Sequence, residues 1–127
     1  MLNFVLNHIY ILLSILFAVG SQLIIKWQMS HHSLDGYSGW YDKFIFAITM
    51  LIHPYIMLAI IFNLLGGLAW MIAMTKFDIS YAYPYTTLGF VLILIFSSLL
   101  FNEAITIYKI IGMLLIVSGI LVVSRDF

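Results

Sequence analysis

Cysteine is absent from the 127 residues, which excludes a disulfide framework and any thiolate metal site. Charge is scarce. Five Lys+Arg and five Asp+Glu make up 8% of the chain, where about 25% is ordinary. So few charged side chains cannot cover a water-soluble domain of this length. They sum to zero, so there is no basic face for nucleic acid. No Lys or Arg precedes Lys26, and the two prolines are Pro54 and Pro84. Hydrophobic residues instead fill 65% of the chain, against a usual ~45–50%. That composition excludes disorder and describes a small integral membrane protein.

A bilayer core of about 30 Å takes about 20 helical residues per crossing. Four crossings use roughly 80 residues on that arithmetic, and six do not fit. The apolar residues come in unbroken runs rather than in alternation, which argues against a β-barrel. The expected fold is all-α: one domain over residues 1–127 with four transmembrane helices. They are Phe4–Trp27, Tyr55–Thr75, Ile79–Phe101 and Ile105–Val123. The run Ile9–Ile25 ends in Lys26-Trp27 without a small-residue cleavage site, which predicts a retained helix rather than a signal peptide. His31–Trp40 holds turn formers and reads as an exposed loop. The segment Asp42–Ile52 is apolar but too short to cross, and His53-Pro54 closes it. The residue before a proline is pushed out of helical geometry. A short interfacial or partly re-entrant helix is expected there; the alternative is one long helix kinked at Pro54. Lys76-Phe77-Asp78 and Asn102-Glu103 are tight connections.

Four crossings put both termini on one side. That side carries Lys76 and Arg125, and the other carries Lys26, Lys43 and Lys109. Three against two is almost no positive-inside bias. Insertion in both orientations, or a partner subunit that sets the orientation, accounts for it.

Several polar residues fall inside the apolar runs. Gln22 and Lys26 are one turn apart on the first helix, and Ser14 and Ala18 extend their stripe. They either line a polar path that holds an anionic group, or Lys26 snorkels to the interface while Gln22 bonds a neighbouring helix. Asn63, Gly66, Gly67 and Trp70 gather on one face of the second helix. Glycine admits a close helix or ligand there, and Trp70 supplies a stacking wall. Tyr81, Tyr83 and Tyr85 surround Pro84 at the start of the third helix. Proline in a membrane helix frees a backbone carbonyl, and phenols bond sugar hydroxyls, cage cations or sit at the interface. Gly112 and Gly119 share a stripe of the fourth helix; small residues let membrane helices meet closely, so this face is expected to be a contact between protomers.

Asp35, Asp42, Asp78, Glu103 and Asp126 all fall in connections or helix ends. No buried carboxylate is therefore expected for exchanging protons against a cation. His8, His31, His32 and His53 form no spacing that suggests a metal. No catalytic triad or phosphate-cradling loop stands out, so neither an enzyme nor a cofactor is expected.

The stretch Ser14–Lys26 with Leu68–Arg125 resembles the small four-helix branch of the drug/metabolite transporter superfamily. The matching details are Gly20 and Gln22, Ala82-Tyr83-Pro84, Asn102-Glu103, and Gly112 with Gly119. With the intervening segments, the resemblance covers nearly the whole chain. Small multidrug resistance proteins carry an essential Glu eight residues before a Lys in their first helix; here that position is Ala18, before Lys26. The chain is more similar to subunits of the flippase for undecaprenyl phosphate-linked 4-amino-4-deoxy-L-arabinose. That resemblance implies a dimer, of this chain or with a similar small subunit, in a bacterial inner membrane. It also implies translocation of a polyprenyl phosphate-linked aminosugar. On this reading a cavity between protomers holds the substrate. Lys26 and Lys109 attract phosphate, while Gln22, Asn63, Trp70, Tyr81, Tyr83 and Tyr85 contact the sugar or lipid stem. The alternatives are an exporter of cationic drugs or polyamines coupled through Glu103 or Asp78, and a non-transporting complex subunit.

Overall fold

The computed structural model describes residues 2–126, and its regular structure is helical. Helix α1 spans Leu2–Met29, α2 Gly39–Met50, α3 Pro54–Ala73, α4 Ile79–Ala82, α5 Leu88–Phe101 and α6 Ile107–Val123. A 3-10 turn, Tyr83–Thr87, joins α4 to α5, and another closes the chain at Ser124–Asp126. Three stretches are long and apolar enough to cross a membrane: Leu2–Met29, Pro54–Ala73 and Ile79–Phe101. At 1.5 Å per residue α1 is about 42 Å long, so it outreaches the hydrocarbon core. The apolar α6 has 17 residues, fewer than those three.

Neighbours show how the helices run. Gly66 lies against Ser14 and Phe17, Phe62 against Phe17 at 5.6 Å, and Tyr55 against Trp27 at 5.0 Å. Helices α1 and α3 are therefore antiparallel. His8 meets Tyr81 and Tyr85, Gly89 faces Val19 and Ile15, and Lys26 reaches Glu103, so α5 runs parallel to α1. The α1–α3 contact depends on small residues. A Cβ at Gly66 would lie 3.1 Å from Phe17 Cβ and 3.2 Å from the Ser14 carbonyl oxygen, so the backbones touch, as small residues allow in membrane helix pairs.

The core sits at the end of the molecule nearer the termini. Ile11, Ile15, Val19, Ala73, Phe77, Tyr81 and Ala82 are buried together, with Trp70, Leu88 and Val123 packed around them. Phe77, expected in a tight connection, is thus part of the core. Among the described residues α6 buries only Ile120, and α2 buries none.

Most boundaries shift by about two residues from the expected ones, and α2 begins at Gly39 rather than Asp42. The kinked-helix alternative is corrected: His53 is extended (φ −68°, ψ 135°) and separates α2 from α3. Its Nδ1 accepts from Tyr55 N–H at 3.2 Å, while Pro54 occupies the first turn, where its missing N–H costs nothing. The third helix is not one α-helix either, because Pro84 imposes the 3-10 turn. There the Thr86 and Thr87 hydroxyls donate to the Tyr83 and Pro84 carbonyls, each at 2.6 Å. Asn102 ends α5 in the left-handed region (φ 55°), which Asn tolerates better than most residues.

Candidate functional site

A groove of about 470 Å³ lies between α1, α3 and α5. Helix α1 contributes Ser14, Ile15, Ala18, Val19 and Gln22, and α3 contributes Asn63, Gly66, Gly67 and Trp70. Thr86, Gly89, Phe90 and Ile93 close the third side. Ala18, Gln22, Asn63, Gly67 and Phe90 are exposed, so the groove opens outward. Its polar side chains are uncharged. Among the described residues no acidic or basic side chain lines it, and most of the wall is apolar. This surface suits a neutral polar group: the Gln22 and Asn63 amides can donate and accept, while the Ser14 and Thr86 hydroxyls, which donate to the Ile11 and Tyr83 carbonyls, can accept.

The i, i+4 stripe on α1 and the four-residue face of α3 thus meet across one space. The lining excludes other expected site residues. Lys26 turns to Glu103 at 3.9 Å, both side chains well exposed. Lys109 donates from Nζ to the Ala104 carbonyl at 3.0 Å. Tyr83 is 61% exposed and meets the Trp70 ring edge-on at 6.1 Å, at the rim. Gly112 and Gly119 on α6 have no neighbour within 4 Å of a notional Cβ.

Tyr81 and Tyr85 belong to a second feature. Tyr81, buried, lies 3.0 Å from His8 Nε2 through its hydroxyl and 3.1 Å from the Tyr85 hydroxyl. The other ring nitrogen of His8 is 2.7 Å from the Phe4 carbonyl. His8 and Tyr85 border a second groove of about 340 Å³ on the other side of α1, with Phe4, Val5, Ile9, Ile11, Leu12, Ile15 and Leu88. Sequence reasoning passed over His8. The signal was an ionisable residue inside an apolar helical run, which in a membrane usually faces protein or a cavity.

A third cluster ties the far end together. Gln28, 7% exposed, meets His53 Nε2 at 3.1 Å and His32 Nε2 at 3.4 Å through its side-chain amide. Among the described residues no group of three His, Cys, Asp or Glu could hold a metal.

The EamA-like transporter family matches residues 4–125. Among curated proteins, the chain is 29% identical over 117 residues to a probable 4-amino-4-deoxy-L-arabinose-phosphoundecaprenol flippase subunit ArnE of Pseudomonas aeruginosa (strain UCBPP-PA14), covering 91% of this chain and 96% of that one. It is 28% identical over 127 aligned positions to a probable flippase subunit ArnF, of the same description, from Photorhabdus laumondii, covering 94% and 97%. A probable ArnE of Pseudomonas savastanoi pv. phaseolicola is 31% identical over 88 residues, covering 69% and 77%. No solved structure matches the chain.

Proposed function

Because the chain belongs to the EamA-like transporter family, we propose that it is a multi-pass flippase subunit for a polyprenyl phosphate-linked aminosugar in a bacterial inner membrane. The observation that carries this reading is the groove between α1, α3 and α5. Gln22, Asn63, Thr86 and Ser14 offer uncharged hydrogen-bonding groups, Trp70 a stacking face, and the remaining wall is apolar. A sugar crossing there exchanges water for amide and hydroxyl partners, which lowers the cost of burying it. Its lipid stem stays in the bilayer. Relatives named as flippase subunits support the substrate class.

On this reading α6 is the fourth crossing, and α2, with Trp40 and Tyr41 exposed, lies in the interface. The single domain then places both termini on one side. Helix α6 buries so little of itself, and presents Gly112 and Gly119 so openly, that it is the contact to a second subunit. Lys26 and Lys109 stand at the end of the molecule opposite the termini, where a phosphate would arrive. Lys26 releases Glu103 to meet it; an exposed pair of this kind contributes little to stability.

The exporter reading has less behind it. Ala18 lines the groove, at the place where small multidrug resistance proteins carry Glu, and among the described residues the lining holds no carboxylate.

The test is flipping of a polyprenyl phosphate aminosugar by liposomes that hold the purified chain, alone and with a second small subunit. Gln22→Ala and Asn63→Ala should lower the rate by about tenfold or more, the worth of ~1.4 kcal/mol of lost hydrogen bonding. Unchanged flipping in both variants removes the groove from the pathway. Uptake of quaternary ammonium ions in place of the lipid moves the assignment to the exporter.

A further inference from the structure

We propose that a recess beside α2 holds the primary ammonium of the lipid-linked aminosugar, with Asp42 as its counter-charge and aromatic rings around it; the ligand class rests on the flippase reading. The recess has a volume of about 570 Å³ and is lined by Tyr37, Tyr41, Asp42, Ile45, Phe46 and Thr49. From Tyr41 to Thr49 the lining positions repeat at helical spacing, which puts them on one face of α2. Tyr37, from the loop before the helix, closes the side, with its ring centroid 5.3 Å from that of Phe46.

The lining fits a cation that can donate hydrogen bonds. Among the described residues Asp42 is the charged side chain of the recess. Ser38 Oγ donates to its Oδ2 at 3.3 Å, which orients the carboxylate, and a carboxylate has further lone pairs to accept from an ammonium N–H. The Thr49 hydroxyl gives its proton to the Phe46 carbonyl at 2.7 Å, so its oxygen also offers lone pairs. Tyr37, Tyr41 and Phe46 present ring faces and edges, and a ring face attracts a cation within about 6 Å of its centre. An anion is repelled by the carboxylate, and a neutral sugar gains hydrogen bonds without the attraction of opposite charges.

The recess is tied to the end of α1. The Phe46 ring meets His32 edge-on at 5.5 Å, and His32 Nε2 lies 3.4 Å from the side-chain amide of the buried Gln28. That is the end of the molecule with Lys26 and Lys109, where the proposed function brings the phosphate. The amine needs a counter-charge of its own. The groove between α1, α3 and α5 has no acidic side chain among its described lining residues. Glu103 is paired with Lys26, and Asp78 stands before α4, at the end nearer the termini.

The test is the affinity of the purified full chain, in nanodiscs of phosphatidylglycerol, for the dodecyl phosphate ester of 4-amino-4-deoxy-L-arabinose and for its N-acetyl counterpart, which carries no ammonium. An exposed ion pair and an exposed cation–π contact are each modest, and together they should make the amine bind about tenfold tighter. Asp42→Asn should remove the preference and leave the affinity for the N-acetyl ester as it was, which separates lost recognition from lost fold. Tyr41→Leu, at a side chain 62% exposed, should reduce the preference about threefold in the same way. Equal affinities of the parent protein for the two esters, or a preference that survives Asp42→Asn, overturns the proposal. Phosphatidylethanolamine that displaces the aminosugar ester at equal concentration overturns its substrate part, because the site then takes bulk headgroups. A preference for the amine without any flipping of a lipid-linked sugar sinks the flippase reading alone; flipping without the preference sinks this proposal alone.

Discussion

At Gly66 a methyl group would lie 3.1 Å from Phe17 Cβ and 3.2 Å from the Ser14 carbonyl oxygen, so α1 would have to give by a few tenths of an ångström. Gly67, one residue on, lines the groove with nothing within 4 Å of its notional Cβ. The two glycines therefore answer differently to the same substitution. Gly66→Ala should destabilise by about 1–3 kcal/mol, the usual cost of overpacking, and lower the melting temperature of the purified protein. Gly67→Ala should leave stability within about 0.5 kcal/mol yet slow flipping, since its methyl group enters the groove. Equal melting temperatures for the two variants would contradict the close contact at Gly66. The sequence placed both glycines on one face of the helix, but it could not say which of them meets α1.

Two elements carry a local irregularity with a use. Pro84 turns Tyr83–Thr87 into a 3-10 segment, and 3.0 rather than 3.6 residues per turn rotates α5 relative to α4. Pro84→Ala restores a backbone N–H and removes a helix penalty of about 3 kcal/mol. Slower amide hydrogen exchange over residues 84–88 is expected, with reduced flipping because Thr86, Phe90 and Ile93 no longer face α1 and α3 as they do now. Exchange rates that match the parent protein would mean that packing, not Pro84, holds the turn. Helix α2 is the other case. It buries no residue in the protein and leaves Trp40 79% exposed; on the proposed reading the membrane interface covers its apolar side. A variant that keeps Trp40 alone, with Trp27 and Trp70 changed to Phe, should be quenched most by lipids brominated near the headgroup. Strongest quenching by bromines at the chain ends would place α2 deep in the bilayer instead.

For the whole molecule, α6 buries only Ile120 among the described residues, and on the proposed reading a second subunit covers the rest of it. The chain has no cysteine, so single cysteines report cleanly. Gly119→Cys should form disulfide-linked dimers under mild oxidation in membranes, and Gly36→Cys in the exposed loop should not. Crosslinking at Gly36 alone would move the contact between subunits to the other end of the molecule. Composition and unbroken apolar runs were enough to establish a membrane protein made of helices, because nothing else buries so much apolar surface with so few charges. Helical periodicity was enough to put Gln22 with Ser14 and Ala18, and Asn63 with Trp70, because residues three and four apart share a face. Periodicity stops at the single helix. Packing alone decided that Lys26 meets Glu103 at the end of α1, outside the groove. It alone decided that His8 meets Tyr81, 73 residues away. Those pairings depend on which faces the close α1–α3 contact leaves for α5, and that contact exists only once the chain has folded.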